Sequence, residues 1–127
     1  MNRMKSYRGA CHCGRVTFEV RTDLTSVAEC NCSYCRRKGA LYRRVEPQDF
    51  KILTGEDALS LYEFNTDVAK HYFCKYCGIH PFHRPRAAPD KWTVNVRCLD
   101  GVDLSRLDVV LFDGANFEEA VKTFKYR

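Results

Sequence analysis

No stretch of the 127-residue chain approaches the roughly 20 apolar residues that a membrane-spanning helix needs, which excludes a helical membrane protein. An apolar leader is missing too. Met1 to Arg8 is polar and basic with no hydrophobic segment behind it, so no secretory signal is read and a cytoplasmic location is expected. The chain lacks linkers, low-complexity tracts and repeats at periods of about 20–50 residues, so one domain over residues 1–127 is expected. An excess of one charge is modest: 21 basic against 16 acidic residues give +5, well short of a polybasic arm. A long basic groove interleaved with aromatics is not evident, which makes nucleic acid an unlikely partner. The basic residues fall in short groups, Arg36, Arg37 and Lys38, then Arg43 and Arg44, then Arg84 and Arg86. They read as a solvated face suited to an anionic small molecule or an acidic surface.

Long helical periodicities are scarce as well, and short strand signals take their place. Val16, Phe18 and Val20 alternate with Thr17 and Glu19, the pattern of a half-buried strand. Further strands are predicted at Tyr42–Val45, Phe50–Leu53, Leu59–Phe64, His71–Cys74, Trp92–Val96 and Val109–Phe112, with turn residues between them. The expected fold is mainly β: a small domain of antiparallel sheets with a short C-terminal helix. For that helix, Asn116 is the predicted cap, and Phe117, Ala120, Val121 and Phe124 the apolar stripe. A shorter helical turn is predicted from Ser33 to Gly39.

Cysteine is abundant. Eight occur in a chain without a recognisable export signal, where thiols stay reduced, so metal or thiol chemistry explains them better than disulfides. Seven lie in three clusters, Cys11-His12-Cys13-Gly14, Cys30-Asn31-Cys32-Ser33-Tyr34-Cys35 and Cys74-Lys75-Tyr76-Cys77-Gly78. Two cysteines one or two residues apart can reach one zinc from a single tight turn. Gly14 and Gly78 suit such turns. Cys11, Cys13, Cys74 and Cys77 would make one closed four-thiolate site, a staple across the fold. Cys30, Cys32 and Cys35 would make a three-thiolate set one ligand short. Spacing alone leaves that division open. Cys98 is read as a small buried apolar residue, with a fourth ligand to the three-cysteine set, or a reactive thiol beside it, as the alternative. His80 is read as structural, with an approach to metal or substrate as the alternative. His12 reads as a surface residue and His71 and His83 as strand residues.

Gly9-Ala10-Cys11-His12-Cys13-Gly14-Arg15-Val16, the cluster at residues 30–35, Phe64-Asn65-Thr66 and Phe73-Cys74-Lys75-Tyr76-Cys77-Gly78 together resemble the family of glutathione-dependent formaldehyde-activating enzymes and centromere protein V. The resemblance runs from about Gly9 to Phe124. It implies a coiled antiparallel fold, a structural zinc on Cys11, Cys13, Cys74 and Cys77, and a catalytic zinc on Cys30, Cys32 and Cys35. Two zinc sites are thus expected, the second open to partial occupancy. The implied activity is that of a carbon–sulfur lyase acting on glutathione–aldehyde adducts such as S-hydroxymethylglutathione. Phe64-Asn65-Thr66, Arg97-Cys98-Leu99-Asp100 and Phe112-Asp113-Gly114 look more like the centromere protein V side. That side implies the alternative function, a non-catalytic zinc-stabilised module for an acidic protein partner. Arg36, Arg37 and Lys38 are the residues expected to offset the thiolate charge and attract glutathione's carboxylates.

Overall fold

A computed structural model describes residues 4–126. The chain is mainly β, and its strands form two sheets. The smaller sheet orders β1 (Lys5–Ala10), β2 (Thr17–Thr22) and β5 (Phe50–Thr54) side by side. The larger has seven strands: β10 (Val109–Phe112), β3 (Val27–Cys30), β4 (Tyr42–Val45), β9 (Trp92–Asn95), β8 (Phe82–Arg84), β7 (Lys70–Cys74) and β6 (Leu59–Tyr62), in that spatial order. A bridge between Gly9 and Leu99 joins the two.

Among the described residues all strand pairings are antiparallel except one. β10 runs parallel to β3, with Val109 opposite Val27 and Phe112 opposite Cys30, the one parallel pair in an otherwise antiparallel arrangement of the described strands. Parallel pairing needs a long crossover, and here nearly the whole chain between residues 30 and 109 supplies it.

Alternation in β2 buries Phe18 and Val20 and leaves Glu19 and Arg21 outside. Phe18 and Val20 join Val94, Val96, Phe82 and Val27 in the main core. Phe82 packs edge-on against Phe18, Phe50 and Trp92, with ring centroids 5.0–5.5 Å apart. Burying each such side chain contributes about 1.5–3 kcal/mol. A second, smaller cluster gathers Ala28, Cys35, Ala40 and Tyr42 under Phe112, Phe124 and Tyr126.

Two short α-helices complete the described residues. α1 (Cys35–Lys38) ends at Gly39, which takes a left-handed conformation and donates its N–H to the Cys35 carbonyl. α2 (Phe117–Thr123) follows a 3-10 turn over Gly114–Asn116. Asn116 does not cap it as expected; its amide donates instead to Asp113 at 2.9 Å. Of the predicted stripe, Ala120 is buried and Val121 is exposed. Among the described residues no helix is long and apolar enough to cross a membrane.

Candidate metal centres

The turn between β1 and β2 carries Cys11 and Cys13, while Cys74 ends β7 and Cys77 lies on the turn after it. Backbone bonds from Gly14 to the Cys11 carbonyl (3.3 Å) and from Gly78 to the Cys74 carbonyl (2.7 Å) fold each turn back. Both glycines sit at positive φ, where a side chain would strain the backbone. The turns meet so that the four sulfurs lie within 4.8 Å of one another. Cys11 and Cys13 Sγ are 3.6 Å apart, and Cys13 and Cys74 Sγ 3.7 Å. Four thiolates around zinc at about 2.3 Å would stand about 3.8 Å apart in a tetrahedron, so this set fits the ion. Burial pushes the Cys11 thiol up to about 11, while hydrogen bonds from the Arg15 backbone N–H and guanidinium hold exposed Cys13 down to about 6.

The second set is local. Cys30 ends β3, Cys35 opens α1, and Cys32 lies on the loop between them. Their sulfurs also lie within 4.8 Å of one another. The Cys35 N–H donates to Cys32 Sγ at 3.3 Å and the Cys32 N–H to Cys30 Sγ at 3.5 Å. Hydrogen bonds from Cys30 and Cys35 hold the Cys32 thiol far down, and the same bond to Cys32 holds Cys30 far up. The Tyr42 hydroxyl, kept protonated chiefly by burial, lies 3.6 Å from Cys35 Sγ. Asn31 clamps the loop from outside, donating to Asp113 Oδ1 at 2.8 Å and accepting the Ala115 N–H at 2.9 Å. Three soft donors and no fourth protein ligand in the set suit zinc with an open position.

A cavity of about 460 Å³ opens over this trio. Cys30, Cys32 and Cys35 form one part of its wall, and His71, His83, Phe64, Phe112 and Phe117 form much of the rest. Its cations are Arg44 and Arg86. Arg44 Nε is buried with no hydrogen-bond partner, and the Arg86 guanidinium lies 4.0 Å over the Phe117 ring.

The basic groups therefore do not form one solvated face. Arg36 and Arg37 are exposed and do not line the cavity. Lys38 turns inward, its Nζ buried without a hydrogen-bond partner and 4.0 Å above the Tyr34 ring. Burial lowers its pKa to about 8, opposed by the charges of Cys35, Cys32 and Cys30. Arg43 is paired with Asp23 at 3.1 Å, and Arg84 lies 3.9 Å over Trp92.

Cys98 stays outside both sets. It packs against the main core, its sulfur 3.8 Å from the His80 carbonyl, and burial pushes its thiol up to about 12. His12 is exposed. His80 groups with His71 and His83 rather than with the cysteine trio.

The fold and these clusters define a small β protein whose two cysteine sets have the geometry of metal centres. A family model described as glutathione-dependent formaldehyde-activating enzyme matches residues 6–112. A crystal structure of a Rhodobacter sphaeroides protein is similar at a TM-score of 0.75 and 37% sequence identity, covering 81% of this chain and 99% of that one. The chain belongs to the glutathione-dependent formaldehyde-activating family.

Proposed function

We propose that this chain is a zinc-dependent carbon–sulfur lyase that makes or breaks the bond between the glutathione sulfur and an aldehyde carbon, as in S-hydroxymethylglutathione. The observation that carries the reading is the cavity with Cys30, Cys32 and Cys35 in its wall, because a purely structural thiolate set has no need of such a space. Zinc on that trio would supply an open ligand position that favours a substrate thiol as its thiolate. Three thiolates leave the ion a formal charge of −1, which suits sulfur activation better than polarisation of a carbonyl.

The chain's own residues supply the rest. Arg44 and Arg86 line the cavity and would receive the carboxylates of the tripeptide, a role the sequence suggested for Arg36, Arg37 and Lys38. Lys38 offsets the charge of the trio from behind, and the Tyr42 hydroxyl steadies Cys35. Phe64, Phe112 and Phe117 give the adduct an apolar wall on one side. In the forming direction the thiol gives its proton to water, its sulfur bonds to the aldehyde carbon as the C=O π bond opens onto oxygen, and that oxygen takes a proton back from water. Cys11, Cys13, Cys74 and Cys77 would hold a second zinc that ties the two turns together.

The rival reading, a docking module for an acidic partner, has less to draw on. Of the first two basic groups only Arg36 and Arg37 are exposed, and Arg37 already donates to the Ser33 carbonyl at 2.6 Å.

Exchange NMR of glutathione with formaldehyde tests the proposal, since the uncatalysed addition sets a measurable background. The wild-type protein should raise the exchange rate, and Cys32→Ser should return it to background while keeping the four-cysteine zinc. Equal rates for wild type, Cys32→Ser and buffer would sink the enzyme reading for this substrate.

A further inference from the structure

We propose a third metal site, formed by His71, His80 and His83, that takes a first-row divalent cation such as zinc and leaves a coordination position open beside the cavity. His71 on β7 and His83 on β8 are direct cross-strand partners, so their side chains project from neighbouring points of one sheet. His80 lies three residues before His83 and brings its ring beside both, with centroids 6.1 Å from His71 and 5.6 Å from His83. One ring nitrogen of each residue lies within 4.8 Å of the other two. Three imidazoles on zinc at about 2.0–2.1 Å would bring those nitrogens to about 3.4 Å, a closure that small ring rotations supply.

Hydrogen bonding supports the same conclusion. All three rings are buried, at 5%, 5% and 7% exposure. His71 Nδ1, His80 Nε2 and His83 Nδ1 nevertheless have no hydrogen-bond partner. Buried polar atoms are rarely left so, and three such atoms in touching rings call for one shared partner. His80 also carries the orientation of a ligand. Its Nδ1 faces the Tyr72 carbonyl at 2.6 Å, and a carbonyl only accepts, so Nδ1 bears the hydrogen and Nε2 keeps its lone pair. A backbone carbonyl holding the far nitrogen in this way is what commonly fixes a metal-binding histidine. Burial, the leading cause, keeps all three rings neutral, the form that ligates. Lys38 faces all three rings and Arg44 faces His83, and the cysteines of the neighbouring trio offset the charge of Lys38.

The two sites on this cavity would differ in character. Three neutral nitrogens leave the ion its full +2 charge, so this is the centre able to polarise an oxygen, whereas the sulfur trio suits a thiol. The inference does not depend on the lyase reading, because its test measures metal and not turnover.

The zinc-loaded full chain would be titrated with Zn²⁺ while the histidine ring nitrogens are followed by ¹⁵N NMR. The expected result is a third equivalent per chain, with one nitrogen in each of His71, His80 and His83 shifting as it binds. With Co²⁺ that equivalent should add ligand-field absorption without sulfur-to-metal charge transfer. His71→Phe, which keeps a ring among the aromatics, should lose one equivalent of three, and His12→Gln on the surface should lose none. Binding that stops at two equivalents with the three rings unmoved overturns the proposal. So does a third equivalent that disappears in His12→Gln. The wild-type spectra decide the matter even if His71→Phe folds poorly.

Discussion

Gly114 lies so close to the cysteine trio that a methyl group there would stand 2.5 Å from Cys30 Sγ and 3.1 Å from Cys32 Cβ. Backbone geometry does not demand glycine at this point; the neighbouring sulfur does. Gly114→Ala should therefore displace Cys30 and lower bound zinc by one equivalent, at a cost of about 1–3 kcal/mol in stability. Metal analysis beside thermal unfolding checks it, and an unchanged zinc content would refute the assignment. The cysteines themselves were legible because their spacing is a local property of the sequence. The histidines were not, because only the register of β7 against β8 brings His71 opposite His83. Lys38 was misread for a related reason. It follows two exposed arginines, but the tight end of α1 at Gly39 turns its stem inward over Tyr34.

At the scale of elements, the loops that leave β3 and β10 are held together by Asn31. Its side chain makes two of the hydrogen bonds there, to Asp113 and to the Ala115 N–H, and its own N–H donates to the Phe112 carbonyl at 3.3 Å. Asn31→Ala should cost about 1–2 kcal/mol, two net hydrogen bonds, measurable by urea unfolding. Zinc should also leave the trio faster under chelation, while release from the four-cysteine set stays unchanged. Strands with clear alternation, such as β2, or with runs of Val, Tyr and Phe were recognisable in the sequence. Three others were hidden. β1 is polar, β3 has four residues, and β8 has three between Pro81 and Pro85. Nothing local could announce that β10 pairs parallel to β3, since that follows from where the intervening strands place the chain.

Stability of the whole molecule should depend on acid through its buried histidines. Burial lowers their proton affinity, His71 to about 4, whereas in the unfolded chain histidine titrates near 6.5. Below about pH 6.5 the unfolded state binds more protons than the folded one. Stability is therefore fully present above that pH and falls as acid is added, the His71 share levelling off below about 4. Each histidine contributes a slope of about 1.4 kcal/mol per pH unit. His83→Phe should flatten the slope between pH 6.5 and 5 by one proton relative to wild type, as read from urea unfolding of the zinc-loaded protein. An identical slope would mean that His83 is protonated in the fold. The distance along the chain between Cys13 and Cys74, 61 positions, bears on how the protein is made. During synthesis the trio at residues 30–35 emerges complete within six consecutive residues, ready to capture an ion. The four-cysteine set must wait for Cys77 and close a loop at an entropic cost of about 4 kcal/mol. Under zinc scarcity a newborn chain would fill its three-cysteine set first and its four-cysteine set last.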